Sequence, residues 1–365
     1  MTGAPPNDLT RRLLRRIAAT GPMTLAEFMA SALYDPAGGY YTTRRPIGAA
    51  GDFVTAPEVS QLFGELIGLW CAETWERLGR PAPVRLVELG PGRGTLMADL
   101  LRAARVLPEF ERALELHLVE ISPALRQAQQ AALGGRTATW HASLESVPEG
   151  PFLLVANEFL DALPLRQFER APDAWRERLV GAVGEALGFA LSGPVPLALI
   201  PAARREAPVG SVLELCPPAP ALAAEIARRA AAGPGAALLI DSGYATPPLR
   251  GTLQAVSRHR PVPPLERPGE VDLTALVDFG AVTAAVRAAA AAAWGPVSQG
   301  AWLRDLGIAL RAERLGARAT PAQQADLAAA VRRLTDAAEM GERFLALAIT
   351  PPALGAPAGF PAGPP

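Results

Sequence analysis

A glycine-rich turn at residues 90–94 is the segment whose residue types and spacing point most directly to chemistry. Glu88 precedes it, and Gly90, Gly92 and Gly94 form a GxGxG pattern. A dinucleotide fingerprint places the third glycine three residues after the second, whereas here it comes two residues after. Glycines let a ligand approach the backbone, and an acid can hold an ammonium group. The pattern therefore favours S-adenosylmethionine, which carries no pyrophosphate, over NAD. The alternative is a purely structural turn.

A carboxylate follows the next predicted strand. Glu120 ends that strand, 28 residues after Gly92, where it can accept hydrogen bonds from both hydroxyls of a ribose. Beyond the third strand, Ser143 and Leu144 are predicted to flank the adenine. Together with Glu88 as the ligand of the ammonium group, these residues complete a predicted cofactor site. For Glu120 the alternative is an ordinary surface carboxylate.

Two carboxylates follow the fourth predicted strand. Glu158 and Asp161 are three positions apart and share a face if the stretch is helical. Asn157 precedes them and is one of two asparagines in the chain. A sulfonium methyl donor and an arginine acceptor are both cationic, so paired carboxylates would offset their repulsion and orient one guanidinium nitrogen. We predict Glu158 as the catalytic residue, supported by Asp161 and Asn157. The alternative is a capped turn with solvated acids.

Alternating strands and helices are predicted to position these residues. Apolar runs predict buried strands at 84–89, 114–120, 137–141, 152–156, 236–241 and 252–256. Helices are predicted between them at 95–106, 123–133 and 219–231. Ser122 is the expected N-cap of the second of these helices, and Thr55 with Glu58 is expected to form a capping box before a long helix. Repeated β-α units predict an α/β fold, a parallel sheet with helices on both faces.

The composition along the chain suggests four units. They are an N-terminal helical extension with lid loops, an α/β core with an insertion at about 166–215, a mostly helical cap and a disordered tail, at 1–80, 81–260, 261–350 and 351–365. The loops at 38–41 and 51–58 hold glycines and aromatic residues. We expect them to fold over the cofactor and to become ordered when it binds. The alternative is a static extension.

The composition excludes several classes of protein. The chain has 365 residues and a net charge of −1, whereas a dedicated nucleic-acid binder is normally basic. Two cysteines and three widely separated histidines exclude a disulfide framework and the usual zinc spacings. No apolar run reaches the roughly 18 residues of a membrane span. Every basic residue other than histidine is arginine, which excludes Schiff-base and Walker A lysines.

With these residues in place, the chain resembles the MidA-like family of S-adenosylmethionine-dependent methyltransferases. That family includes the mitochondrial arginine methyltransferase acting in complex I assembly. The resemblance extends from about Thr24 to Ile349, and several matching segments are long and ungapped. The segments are Tyr34–Tyr41, Gly51–Glu65, Glu88–Leu96, Asn157–Pro164, Gly251–Ala255 and Pro268–Thr274. One departure is Ser242, where the family usually has tyrosine, a difference that bears on the acceptor pocket.

The resemblance implies a class I methyltransferase core with an N-terminal helical extension and family-specific insertions. It implies methyl transfer from S-adenosylmethionine to a protein arginine, which in eukaryotes belongs to a core subunit of complex I. A respiratory-chain subunit or its bacterial counterpart is therefore the expected partner, and the bacterial cytoplasm the expected compartment. Two alternatives stay open: a methyltransferase for a small molecule, and a non-catalytic assembly factor that binds S-adenosylmethionine.

Overall fold

The helices of the chain were located in a computed structural model, which describes residues 7–43, 55–257 and 260–362. Thirteen α-helices occur in the described part. They are α1 (Asp8–Thr20), α2 (Leu25–Tyr34), α3 (Tyr40–Thr43), α4 (Ala56–Val59), α5 (Gln61–Arg77), α6 (Thr95–Ala104), α7 (Pro108–Ala113), α8 (Pro123–Ala132), α9 (Pro218–Ala232), α10 (Phe279–Ala288), α11 (Gln299–Asp305), α12 (Ile308–Gly316) and α13 (Pro321–Thr335). None of these helices is long and apolar enough to cross a membrane.

The strands of the described part form three sheets. They are β1 (Met23–Thr24), β2 (Val84–Leu89), β3 (Leu114–Val119), β4 (Ala138–His141), β5 (Phe152–Asn157), β6 (Arg166–Arg170), β7 (Trp175–Val183), β8 (Ala186–Pro194), β9 (Val212–Leu215), β10 (Gly235–Tyr244), β11 (Gln254–Ser257), β12 (Arg260–Val262), β13 (Asp272–Thr274), β14 (Val277–Asp278), β15 (Ala292–Ser298) and β16 (Phe344–Thr350).

The central sheet has eight strands, in the order β15-β16-β10-β5-β2-β3-β4, with β14 pairing beside β10. The strands from β4 to β10 along this order are all parallel to their neighbours. β16, the last strand of the chain, lies antiparallel between β10 and β15. Parallel strands joined by helices confirm the predicted α/β fold.

The strands of this sheet are apolar at successive positions because both faces of the sheet are buried. In β5, Leu153 and Val155 pack with α5 and α6, whereas Leu154 and Ala156 pack with α9 and α10. On the face covered by α5 and α6, the helices contribute Phe63, Leu66, Trp70, Leu96 and Leu100 to the core. The sheet is therefore held rigid from both sides, and its carboxyl edge is a fixed platform.

Two smaller sheets lie outside the central one. The predicted insertion forms β6 to β9, which with β1 build a five-stranded antiparallel sheet. β11, β12 and β13 form the third sheet. Helices α1 and α2 share an apolar core with both of these sheets, including Phe28, Leu33, Val180 and Leu273. The N-terminal extension is thereby fixed to segments that are more than 100 residues away in the chain.

Three expectations about the C-terminal half were wrong. The predicted strand at 252–256 is β11, which pairs in the third sheet because its neighbours are β12 and β13. The predicted helical cap also supplies β15 and β16 to the central sheet, since their apolar residues fill its last two positions. The tail is ordered as far as residue 362, because Phe360 packs on Trp302 with ring centroids 6.4 Å apart.

The two predicted helix caps had different outcomes. Ser122 is the N-cap of α8, as predicted, and its hydroxyl accepts a hydrogen bond from the Leu125 N–H. The capping box of Thr55 and Glu58 was wrong, since the Thr55 side chain makes no cap hydrogen bond. Helix α4 ends at Val59. The next residue, Ser60, has an extended backbone and is the N-cap of α5. Glu58 accepts a hydrogen bond from the Thr95 hydroxyl at 2.6 Å and so ties α4 to α6.

Candidate active site

A cavity of about 650 Å³ lies at the carboxyl edge of the central sheet. Its lining includes the residues that follow three neighbouring strands: Gly90 after β2, Glu120 after β3 and Glu158 after β5. In doubly wound sheets ligands bind at this edge, and pockets for small ligands are usually about 300–1,000 Å³. The cavity is therefore the candidate active site, and it brings together residues from both predicted halves.

The glycine turn forms one wall of the cavity. Gly90, Gly92 and Gly94 have φ angles of 62°, 55° and 84°, a region that side chains make strained. A Cβ atom at Gly90 would also lie 2.8 Å from Cδ2 of Phe159. Gly90 and Gly92 line the cavity, as predicted for the cofactor site. Gly94 does not line it; this residue is the N-cap of α6 and packs against Gln129.

Glu120 lines the cavity beside this turn. Its Oε1 accepts a hydrogen bond from the Ser122 N–H at 2.8 Å, and its Oε2 accepts one from Nε2 of Gln129 at 3.2 Å. The same Gln129 amide donates to the carbonyl of Gly92 at 2.8 Å, which ties the carboxylate to the turn. Each carboxylate oxygen has a further lone pair. The carboxylate can therefore accept two more hydrogen bonds, as a ribose diol requires.

Three other predicted cofactor residues do not line the cavity. Glu88 is only 3% exposed. Its burial, and to a smaller extent the negative charge of Glu120, raise the pKa of Glu88 to about 8. Its Oε2 has no hydrogen-bond partner among the described residues. Leu144 was predicted to flank the adenine but packs in the core with α9, and Ser143 is exposed. The apolar wall at this place is formed instead by Val119, Ile121, Leu125 and Ala142.

Glu158 stands where β5 ends, in a backbone conformation that is unusual for a residue with a side chain. Its φ angle is 50°, and its Oε1 accepts hydrogen bonds from the Ala56 N–H at 3.0 Å and from Nδ2 of Asn157 at 3.2 Å. Burial raises the pKa of Glu158 to about 7. Strained backbone persists only where the surrounding structure enforces it. Asn157 therefore acts by holding Glu158, and it does not itself line the cavity.

Asp161 reaches the same cavity from a short 3₁₀ turn, so the structure brings it together with Glu158. Asp241 holds that turn: its Oδ2 accepts hydrogen bonds from the N–H groups of Phe159, Leu160 and Asp161 at 3.0, 2.8 and 3.2 Å. Burial, and then the negative charges of Asp241 and Glu158, raise the pKa of Asp161. These carboxylates are therefore poised to stabilise a cation that enters the cavity.

Several lining residues were not among the predicted site residues, although the loop at 38–41, which contains Tyr41, was expected to fold over the cofactor. They are Tyr34, Tyr41, Asp272, Arg333 and Arg343, which come from α2, α3, β13 and the C-terminal part of the chain. The tyrosines had one signal, since three of the four tyrosines in the chain lie within residues 34–41. Asp272 lies in Pro268–Thr274, one of the segments that resemble the MidA-like family, and that resemblance was the available signal. For the two arginines no local pattern exists, because only the tertiary fold places them at the cavity.

The residues at the cavity fit an adenosyl cofactor. Glu120 offers two acceptor oxygens at the place where a ribose would lie, beside the apolar wall and a glycine turn that side chains would obstruct. The carboxylates further along the cavity suit a ligand with positive charge. Within the described ranges of the chain, no three His, Cys, Asp or Glu side chains are placed to hold a metal ion.

Comparison with known families agrees with this geometry. Residues 66–297, more than half of the chain, match a family of S-adenosyl-L-methionine-dependent methyltransferases. The chain belongs to this family. It is a methyltransferase that uses S-adenosylmethionine as the methyl donor, and the resemblance to the MidA-like family is confirmed.

Curated relatives extend over nearly the whole chain. The zebrafish protein arginine methyltransferase NDUFAF7, mitochondrial, is 36% identical over 363 residues, covering 92% of this chain and 85% of the relative. The Drosophila melanogaster homolog is 35% identical over 391 residues and covers 96% of this chain and 86% of the relative. The human protein of the same name is 34% identical over 375 residues and covers 95% and 84%.

Solved structures show the same fold. A COG1565 superfamily member from Burkholderia thailandensis, bound to S-adenosyl-homocysteine, superposes with a TM-score of 0.83 at 29% identity, covering 98% of this chain and 97% of that one. A native crystal structure from the same organism and superfamily gives 0.84 at 31% identity, covering 100% and 99%. The likeness extends to the N-terminal helices and the inserted sheet as well as the core, since nearly all of both chains is covered.

Proposed function

We propose that this methyltransferase transfers the methyl group to an arginine side chain of a protein. The observation that carries the proposal is the pair of partly buried carboxylates, Glu158 and Asp161, that line the cavity beyond the glycine turn. Arginine is protonated at any pH that a protein tolerates, so its acceptor site must stabilise a cation next to a second cation. The relatives named protein arginine methyltransferase support the same acceptor class.

The roles of the residues follow from charge and position. When bound, S-adenosylmethionine supplies an electrophilic methyl group and leaves as S-adenosylhomocysteine. Glu158 orients one guanidinium nitrogen and holds the charge on the others, and Asp161 provides the second arm. A bond forms between that nitrogen and the methyl carbon, the carbon–sulfur bond breaks, and one N–H proton is released. Glu158, with a pKa of about 7, is suited to accept that proton.

The identity of the protein acceptor is a further part of the proposal. The resemblance to the MidA-like family suggests the bacterial counterpart of a respiratory-chain subunit, and the composition suggests that the enzyme works in a bacterial cytoplasm. The named relatives carry the word mitochondrial in their names, which describes those proteins. Cell fractionation of the native bacterium tests the compartment, with the enzyme expected in the soluble fraction.

A labelling experiment tests the proposed activity. The purified enzyme is incubated with S-[methyl-³H]adenosylmethionine and a lysate of the native bacterium from which the gene for the enzyme has been deleted. Labelled proteins are then hydrolysed to amino acids. We expect a labelled protein band that yields methylarginine, and no label with Glu158→Gln. A labelled metabolite would indicate the small-molecule alternative. Absence of any label would indicate a non-catalytic factor, and either result would overturn the proposal.

A further inference from the structure

One part of the cavity wall comes from outside the methyltransferase core. Tyr34 ends α2, Tyr41 lies in α3 and Asp272 begins β13, and all three line the cavity. The rings of Tyr34 and Tyr41 are stacked, with centroids 5.9 Å apart and planes 20° apart. The Tyr41 hydroxyl donates a hydrogen bond to Oδ1 of Asp272 at 2.9 Å. The wall therefore combines aromatic rings with a carboxylate whose orientation is fixed.

This wall is bonded directly to the turn that carries Asp161. The Tyr34 hydroxyl donates to the carbonyl of Ala162 at 2.8 Å. The backbone N–H of Ala275 donates to the carbonyl of Asp161 at 3.0 Å, so β13 is tied to the turn as well. Asp272 raises the pKa of Asp161 after the larger effects of burial, Asp241 and Glu158. Asp161 and Asp272 therefore line the same cavity from segments that are hydrogen-bonded to each other.

The charge of the whole cavity favours a cationic ligand. Five carboxylates line it, and the lining cations are the two arginines Arg333 and Arg343; the carboxylates are Glu120, Glu158, Asp161, Asp272 and Glu339. Asp272 is buried and Tyr41 is partly buried, so the interaction of Asp272 with a ligand is little screened by water. A guanidinium suits such a cavity because it is planar, forms bidentate hydrogen bonds with carboxylates and stacks on aromatic rings.

We infer that Asp272, oriented by Tyr41, binds the guanidinium of the acceptor together with Asp161, and that the Tyr34–Tyr41 stack contributes the aromatic surface beside it. Asp272 and the two tyrosines are then specificity residues, which select a planar cationic side chain over a neutral one. The inference rests on the proposed function and adds residues to its acceptor site. It also gives the N-terminal extension a direct part in substrate binding.

The test uses a minimal acceptor. Binding of N-acetyl-arginine amide, and of its neutral isostere N-acetyl-citrulline amide, is measured by ligand-observed NMR on enzyme saturated with S-adenosylhomocysteine. For a ligand of this size we expect a Kd on the order of 1 mM for the arginine probe. The citrulline probe should bind at least about tenfold more weakly, since it lacks the charge that the carboxylates stabilise.

Substitutions assign the effect to the named residues. Asp272→Asn should weaken the arginine probe about tenfold or more, and Tyr41→Phe about threefold, because the ring stays while the bond to Asp272 is lost. Affinity for S-adenosylhomocysteine should stay within about twofold, which shows that the fold is intact. The matched control is Asp326→Asn, an exposed aspartate on α13 outside the cavity lining, which should leave both affinities unchanged.

Three results would overturn the inference. They are failure of the wild-type enzyme to bind the arginine probe, equal affinity for arginine and citrulline, and unchanged arginine affinity in both Asp272→Asn and Tyr41→Phe. If Asp272→Asn fails to fold, Tyr41→Phe alone decides the outcome. Failure of the proposed function is distinguishable, because it shows as absence of methylarginine in the lysate experiment whether or not the probe binds.

Discussion

The two halves of the cavity are built in different ways. On the cofactor side, Gly90, Gly92 and Glu120 come from two consecutive β-α units, within 31 positions of the chain. On the acceptor side, Glu158 follows β5, whereas Tyr34 and Asp272 come from helices and strands outside the core. A cofactor that is the same for many enzymes can be bound by a local motif. An acceptor that differs between enzymes is bound by segments that only the tertiary fold brings together.

Of the substitutions in the two halves, Glu158→Gln on the acceptor side is expected to have the largest effect on methyl transfer. The amide keeps the shape but cannot hold a guanidinium charge or accept its proton, so methyl transfer should fall by about 100-fold or more. The rate is measured with labelled S-adenosylmethionine and the acceptor found in the lysate experiment. A transfer rate equal to that of the wild-type enzyme would make Glu158 a structural residue and move the acceptor site elsewhere.

On the cofactor side, Glu120→Ala is expected to weaken the binding of S-adenosylmethionine by about tenfold to 100-fold. The substitution leaves two ribose hydroxyls without a charged acceptor, which costs about 1.5–3 kcal/mol. Isothermal titration calorimetry measures the affinity. The control is Glu115→Ala, which removes an exposed carboxylate from β3 outside the cavity. If a folded Glu120→Ala protein bound the cofactor as the wild type does, the ribose would have to lie elsewhere.

A smaller effect is expected for Asp161→Asn. Asp161 is the second arm of the acceptor site, and Asp241 continues to hold the turn through backbone N–H groups. We expect transfer to fall about tenfold, in KM for the acceptor more than in kcat, because binding of the cation is what weakens. Steady-state kinetics on the same acceptor separate the two constants, and a change confined to the affinity for S-adenosylmethionine would place Asp161 on the cofactor side.

The smallest effect is the pH dependence of stability in the absence of ligands. The pKa of Glu158 is raised to about 7 and that of Glu88 to about 8, both first by burial, against about 4.3 in the unfolded chain. The folded state therefore binds more protons, and its stability is highest below the unfolded pKa and falls as pH rises from about 4 to 8.

Thermal unfolding of single variants shows how much of this pH dependence comes from Glu158 and how much from Glu88. Glu158→Gln should flatten the curve of Tm against pH up to about 7, and Glu88→Gln should flatten it up to about 8. Glu115→Gln, which removes an exposed carboxylate from β3, should leave the slope as in the wild type. If the curves of both Glu158→Gln and Glu88→Gln superposed on that of the wild type, the raised pKa values of these two carboxylates would be contradicted.

The same contrast explains which features could be predicted from the sequence. The core strands and helices followed from apolar runs and from the cap at Ser122, and the positions of Gly90, Gly92, Glu120 and Glu158 followed from where those strands end. Local patterns determine such elements, so they can be recognised one at a time.

The failures have a physical reason that is not local. β15 and β16 are apolar strands whose place in the central sheet depends on an antiparallel insertion beside β10, which no periodicity indicates. Ser143 and Leu144 miss the cavity because Ser143 is exposed and Leu144 packs in the core with α9, so that Ala142 lines the cavity instead. Asp272 reaches the cavity only because β13 pairs with β11 in a separate sheet. The lid loop at 51–58 stays a prediction, since residues 51–54 lie outside the described residues.

The measurement that tests the account most directly is a paired one on Glu158→Gln and Glu120→Ala. Affinity for S-adenosylmethionine and the rate of methyl transfer at saturating cofactor are measured on both variants. If the halves are separate, Glu158→Gln keeps the wild-type affinity within about threefold and loses transfer, whereas Glu120→Ala loses affinity and recovers most of the transfer rate at saturation. Loss of cofactor affinity in Glu158→Gln as large as that in Glu120→Ala would contradict the division of the cavity into a cofactor half and an acceptor half.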